Sequence, residues 1–234
     1  MTDPAILFIH GYPFDGEMWR RQVDVLSHRW ACVVPTLWGA GSANIEPTAP
    51  EHSIVEHAHD LFERFDAFES NDVVVCGFSM GGYVAFELLR VSADRIRGLI
   101  LCNTKAAPDT PEAKHGRDVM AAKAEREGPG AIAAELVPKL LARVTRERRP
   151  EIVREVTAMI ERQPRYGIVR TLHALRDRAD STSLLGQIRV PVLVIAGDDD
   201  QITPAAGMRE MGRAIRGSEL VLIRAAGHRT PLEK

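Results

Sequence analysis

Cysteine is scarce in this 234-residue sequence: there are three, and no two stand in a C-x-x-C pair. A disulfide framework and a thiolate metal centre of the usual spacing are thereby excluded. Cys32, Cys76 and Cys102 each lie in or beside an apolar run and read as buried thiols in a reducing compartment. Long hydrophobic runs are missing too. No segment approaches the ~18 apolar residues of a membrane span, and the amino end, MTDPAILFIHG, has no basic region before its short apolar run. The cytoplasm is the expected location. Nor does charge of one sign prevail. A formal net charge of -2 supplies no field that gathers phosphates or an anionic bilayer, so neither nucleic acid nor membrane is an expected partner. There is no internal repeat and no low-complexity tract.

What is present is a recurrence of short apolar runs: AILFIH (5–10), WACVVP (30–35), DVVVCG (72–77), IRGLILC (96–102), VPVLVIAG (190–197) and ELVLIRAAG (219–227). They are apolar almost throughout instead of alternating, as strands covered on both faces of a parallel sheet are. Helical patterns separate them, which predicts an α/β fold. In SIVEHAHDLFERFDAF, Ser53 and Glu56 have capping-box spacing, and Ile54, Ala58, Leu61, Phe62, Phe65 and Phe68 form one apolar stripe. His57 and His59, two residues apart, fall on different faces of that helix and read as solvated, not as a metal pair. Residues 105–183 have no strand pattern, several amphipathic stretches, and breaks at Pro108, Pro111, Pro129, Pro138, Pro150 and Pro164. This segment reads as a helical cap inserted into a core of residues 1–104 and 184–234. It carries 16 basic against 12 acidic residues. Most of these charges are expected to be solvated. Arg162 and Arg165, flanking the turn-like QP, are the candidates for receiving a substrate carboxylate, which a planar guanidinium suits.

Gly77-Phe78-Ser79-Met80-Gly81 is a G-x-S-x-G sequence between a predicted strand and the helical YVAFELLR. Small residues on both sides let the backbone turn sharply, so that the Ser79 hydroxyl stands above the carboxyl edge of the sheet. A serine hydroxyl is a weak nucleophile at neutral pH and needs a base, and the base needs a group that orients it. Both should stand just beyond late strands. VPVLVIAGDDDQITP ends in Asp198, Asp199 and Asp200, and LVLIRAAGHRTPLE leads to His228. The chain order is then Ser, Asp, His. Direction alone separates the three adjacent aspartates, and the residues leave that choice open.

With these motifs the chain resembles the α/β-hydrolase fold family over nearly all its length, most of all the 3-oxoadipate enol-lactonases and small carboxylesterases. The resemblance implies a mostly parallel sheet of about six strands with helices on both faces and a helical cap. It implies that the acid is Asp200, three residues before the threonine of D-x-x-T-P, with Asp199 the second choice. HGYP matches the family's H-G-x-P, so the backbone amides of Tyr12 and Met80 are the expected oxyanion donors. His10 is expected to hold its loop and transfer no proton. Trp38 and Phe78, with Trp19, are candidates for lining the acyl side of the pocket.

The implied activity is hydrolysis of a small-molecule ester or lactone with no cofactor and no metal. Haloalkane dehalogenases and epoxide hydrolases of this fold carry aspartate where Ser79 stands, so their chemistry is not expected. A cofactor-free perhydrolase or haloperoxidase-like enzyme, in which peroxide replaces water, and a hydrolase-fold ligand receptor are the alternatives. Family members usually have two further strands before H-G-x-P and a helix after the histidine loop. Here about four residues precede AILFIHG and six follow His228. That leaves a sheet of about six strands or a truncated chain, and an open edge that is a candidate homodimer surface. Thr36 stands where the family often has aspartate, with an expected effect on loop packing.

Overall fold

A computed structural model describes residues 4–41, 52–66 and 72–234 of the chain. Six parallel strands, β1 (Ala5–Ile9), β2 (Cys32–Val33), β3 (Val73–Phe78), β4 (Ile96–Cys102), β5 (Val192–Gly197) and β6 (Glu219–Ile223), form one sheet in the order β2-β1-β3-β4-β5-β6. The central strands are covered on both faces, as their unbroken apolar runs predict; β1 is buried at every residue. At the edges that expectation fails. Along β6 Glu219 and Val221 are exposed, Val221 by 42%, because the strand has a neighbour on one side only. The same run also ends four residues earlier than its composition suggests: Ala225 takes a φ of 52° and turns the chain before Gly227. β2 keeps only two residues of WACVVP, and Cys32 is half-buried while Cys76 and Cys102 are buried.

The connections fix where the helices lie. α1 (Arg20–Leu26) joins β1 to β2 in one direction. α2 (Ile54–Asp66), α3 (Met80–Ser92) and α10 (Ala205–Ala214) serve connections that run the other way. Right-handed crossovers then place α1 on one face and the other three on the opposite face. Contacts between α2 and α3, and between α1 and α11 (Thr230–Glu233), agree with this. The direction reverses between β1 and β3, so a crevice opens at their carboxyl ends. Ser79 and the H-G-x-P loop border that crevice.

In α2 the Ser53 and Glu56 side chains cap each other's backbone amides reciprocally. Ile54, Ala58 and Leu61 face the core; the Phe65 side chain and Phe68 lie outside the described residues. His57 corrects the solvated reading, for it is 1% exposed and stacks on His52, whose ring in turn packs on Trp38, while His59 is exposed. Burial pushes its imidazole down to about 3. A periodic stripe reports only the face toward the sheet; the flank of α2 that holds His57 meets a loop instead.

Between β4 and β5 run α4 (Pro111–Glu127), α5 (Pro129–Leu140), α6 (Arg143–Arg148), α7 (Pro150–Glu161), α8 (Arg165–Asp177) and α9 (Thr182–Leu185). Three of the prolines that read as breaks are first residues of α4, α5 and α7, where a missing N–H has no helical partner to lose, and Pro164 caps α8. Gly128, at φ 81°, closes α4 and opens α5. This helical segment is tied to the β6 side by Glu233. Its buried carboxylate accepts hydrogen bonds from Gly227 N–H (2.8 Å), Ala142 N–H (3.0 Å) and the Thr145 hydroxyl.

Candidate active site

β3 delivers the chain to Ser79, which takes φ 51° and ψ -112°. A non-glycine residue in that region is strained by about 1–3 kcal/mol and is held there by its surroundings. The hold is visible. Ser79 N–H donates to Cys102 O (2.9 Å), and Gly82 N–H closes the turn on Ser79 O (2.9 Å). A Cβ on Gly77 would collide with the carbonyl of Gly81, and one on Gly81 with the carbonyl of Ile9. Both glycines are thus required by close backbone approach, so that α3 can start directly above β1 and β3.

The Ser79 Oγ lies 2.9 Å from His228 Nε2, and His228 Nδ1 lies 2.8 Å from Asp200 Oδ2. The two partners come from loops 121 and 149 residues away along the chain, after β5 and β6. With an ionised Asp200, Nδ1 carries the proton that Oδ2 accepts, leaving Nε2 free to accept from the serine. Asp200 is the aspartate that faces the histidine; Asp199 turns away and its carboxylate accepts Arg143 N–H at 3.2 Å.

Asp200 is also the most heavily supported group in the site. Oδ2 accepts from Asn103 Nδ2 (2.7 Å) and the Thr203 hydroxyl (2.6 Å), and Oδ1 accepts from the amides of Ile202 (2.8 Å) and Thr203 (3.0 Å). Asn103 is in turn fixed by the Thr230 hydroxyl at 2.6 Å. Sequence reading missed Asn103 and Thr230 altogether. A signal existed for the first: an asparagine closing a strand tolerates positive φ, and Asn103 has φ 45°.

Burial alone would raise the Asp200 carboxyl. The charge of His228 and the hydrogen bonds from His228, Thr203 and Asn103 outweigh it and hold the group at about 2, below the ordinary 3.8. A carboxyl lowered on folding stabilises the protein above its unfolded value and loses that contribution as pH falls through the window from about 4 to about 2. The gap corresponds to about 2 kcal/mol. In urea melts between about pH 5 and about pH 2 the wild type is therefore expected to lose about 2 kcal/mol more than Asp200→Asn. Equal losses in the two proteins would contradict this assignment of the network.

Across the crevice, Tyr12 follows β1 and Met80 is the first residue of α3, where N–H groups lack helical acceptors. Neither amide donates to a backbone acceptor among the described loops and turns. His10 is fully buried. Burial pushes it down to about 4, so the ring is neutral, with Nδ1–H donating to Gly11 O (3.0 Å) and Nε2 accepting from Leu37 N–H (2.9 Å). That is the loop-holding part the sequence suggested. Thr36 fits the same description: its hydroxyl faces Gly16 N–H at 3.4 Å.

Of the candidate substrate contacts, Trp38 is half-buried and lines a narrow cavity with Tyr12, Met80, Ile168 and Thr171. The cavity measures about 10 Å³, room for about one water. Phe78 corrects its reading as a pocket wall. It is fully buried with its ring 5.0 Å from the imidazole of His228, so it packs against the histidine, and Trp19, 1% exposed, packs edge-on against it. The buried guanidinium of Arg229 stacks 3.9 Å over Phe14 and lies 5.5 Å from the centre of the Phe78 ring.

Arg162 and Arg165 correct the other expectation. Both are exposed, Arg162 grips Asp15 and Arg165 donates to Glu125 O at 3.2 Å. A cavity of about 610 Å³ beside Asp15, Arg20, Val34 and Arg162 is lined by none of Ser79, Asp200 and His228. The inward residue of this turn is Gln163, since neighbours one apart in a turn cannot share a face.

A hydroxyl, an imidazole and a carboxylate thus stand in line at the carboxyl edge of a parallel sheet. Residues 6–234 match the alpha/beta hydrolase family. The chain belongs to that family. This alpha/beta hydrolase is similar to a thermophilic esterase from Thermogutta terrifontis, at 38% identity and a TM-score of 0.93, covering 99% of this chain and 85% of the other. It is also similar to the enol-lactonase from Burkholderia xenovorans LB400, at 29% identity and a TM-score of 0.88, covering 100% and 87%. By sequence, 3-oxoadipate enol-lactonase 2 of Acinetobacter baylyi is 26% identical over 95% of this chain and 81% of its own length. Among the described residues no helix of this hydrolase is long and apolar enough to cross a membrane.

Proposed function

We propose that the protein is a serine hydrolase of the cytoplasm that cleaves a carboxylic ester or lactone through an acyl-enzyme. The observation that carries this reading is the continuous relay Ser79, His228, Asp200, with steps of 2.9 and 2.8 Å. His228 takes the Ser79 proton through Nε2 as Oγ attacks the carbonyl carbon, while Asp200 orients the ring and balances the imidazolium. Charge gathers on the carbonyl oxygen, and the amides of Tyr12 and Met80 receive it; Met80 adds the positive end of α3. His228 then gives its proton to the leaving alkoxide, which departs as alcohol or, in a lactone, stays joined to the acyl chain. A water deprotonated by His228 attacks the ester on Ser79, and collapse returns the proton to Oγ and frees the acid. Side chains and water complete the cycle, with no cofactor or metal. The esterase and enol-lactonase relatives support ester or lactone as the substrate class.

A panel of p-nitrophenyl esters, γ-lactones, enol-lactones, and acetate with hydrogen peroxide tests the reading. Repeated turnover of at least one ester or lactone is the expected result. Turnover of acetate and peroxide alone would replace it with a perhydrolase, and a single acylation event without turnover with a ligand receptor.

A further inference from the structure

The loop that carries the Tyr12 amide is pinned at both ends. At its start, His10 accepts the Leu37 amide hydrogen at 2.9 Å. At its end, Asp15 is 6% exposed, and its carboxylate accepts a two-pronged grip from Arg162, Nε to Oδ2 (2.9 Å) and Nη2 to Oδ1 (2.6 Å). Gln163 adds a third donor, Nε2 to Oδ2 at 3.0 Å, and its own amide oxygen accepts Gly41 N–H at 2.7 Å. The same carboxylate caps the short 3-10 helix at Gly16–Trp19 through Glu17 N–H (3.1 Å). Three segments distant in sequence therefore meet at one buried carboxylate: the Tyr12 loop, the stretch that holds Gly39 and Gly41, and the junction of α7 and α8. The fit there is tight. A Cβ on Gly167 would overlap the carbonyl of Gly39, and one on Gly41 would stand 3.2 Å from Asp15.

Such a node is more than a surface ion pair. Burial works against the charge on Asp15, yet the hydrogen bonds from Arg162 and Gln163 keep its carboxyl below the ordinary value. None of these residues reaches Ser79, whereas the amide they bracket stands three residues from Asp15. We infer that Asp15 is a positioning residue for the Tyr12 amide, and that Arg162 and Gln163 act on that amide through it. The inference rests on the serine-hydrolase reading above. It gives Arg162 a part independent of any substrate charge: the helical segment between β4 and β5 holds one oxyanion donor in place, and loosening it misplaces that donor.

The test compares wild type with Asp15→Asn, Arg162→Ala, Arg162→Lys and Gln163→Ala on p-nitrophenyl acetate and on the p-nitrophenyl monoester of succinic acid. An ångström of misplacement in a catalytic group lowers rate by about 100-fold. Asp15→Asn and Arg162→Ala should lose about 10- to 100-fold in kcat on both esters with KM nearly constant. Arg162→Lys, which keeps the charge and loses the fork, should fall between Arg162→Ala and wild type. Binding of an alkylboronic acid, whose oxygen occupies the oxyanion position once boron joins Ser79, should weaken in step with kcat/KM across the set, which a merely structural residue would not produce. Should Asp15→Asn fail to fold, Arg162→Lys and Gln163→Ala carry the comparison. Unchanged kcat in folded variants would overturn the inference, as would a rise in KM confined to the succinate ester. Full activity in Ser79→Ala would bring down the hydrolase reading itself; loss in Ser79→Ala with full kcat in Asp15→Asn would bring down only the inference.

Discussion

Ser79→Ala is expected to lower kcat for ester hydrolysis by about 10⁴- to 10⁶-fold while leaving the fold and the affinity for substrate almost untouched. The size follows from what the hydroxyl does. Without Oγ no acyl-enzyme forms, and the residual rate comes from the oxyanion amides and from water activated by His228. The small structural effect follows from what it touches: Ser79 is half-buried at the crevice, and among the described residues its Oγ is hydrogen-bonded to His228 alone. Alanine at a φ of 51° meets the same backbone strain as serine. Steady-state kinetics with p-nitrophenyl acetate, together with melting curves, separates the two effects. A variant that kept even one-tenth of wild-type kcat would remove Ser79 from its part.

Asp200→Asn should cost about 10³- to 10⁴-fold in kcat. An asparagine oriented with its NH₂ toward the imidazole would meet Nδ1 with a donor, so that Nδ1 becomes the acceptor and Nε2 carries the hydrogen. The base would then present N–H to the serine and could take no proton. The opposite orientation sets the NH₂ against the amides of Ile202 and Thr203, which now donate to Oδ1. Neither orientation satisfies all of its neighbours, so the loss is larger than for removal of a charge alone. Asp199→Asn is the matched control. That carboxylate bonds to Arg143 N–H, not to His228, and kcat should stay within about twofold of wild type. If the two substitutions had equal effects, the choice between the neighbouring aspartates would have no basis.

How much of this could be read from the sequence depends on the range over which each residue acts. The turn at Ser79 was legible because it is local: glycines at 77 and 81 and the strand and helix around them lie within one short window. The six strands were legible for the same reason; the starts of α4, α5 and α7 were not, because Pro111, Pro129 and Pro150 read as breaks and are in fact first residues of helices. Direction was not legible. Which of Arg162, Gln163 and Arg165 faces inward is decided by Asp15, nearly 150 residues earlier. Asn103 gains its part only when the β4 and β5 ends come together, and Glu233 only when α11 meets α6. His57 looked like a surface residue because periodicity describes one face of a helix and knows nothing of a loop laid along its flank. Phe78, next to Ser79 in sequence, reads as a pocket wall; only the fold brings Trp19 and His228 against its ring and buries it.

The central claim is that an acyl group passes through Ser79, and trapping that group is its most direct measurement. Wild type mixed briefly with a slowly released p-nitrophenyl ester, quenched in acid, digested and mapped by mass spectrometry should carry one acyl adduct, on the peptide containing Ser79, formed with one equivalent of p-nitrophenol. Rapid turnover with the acyl group on another residue, or with no covalent adduct under conditions where deacylation is the slow step, would contradict the account.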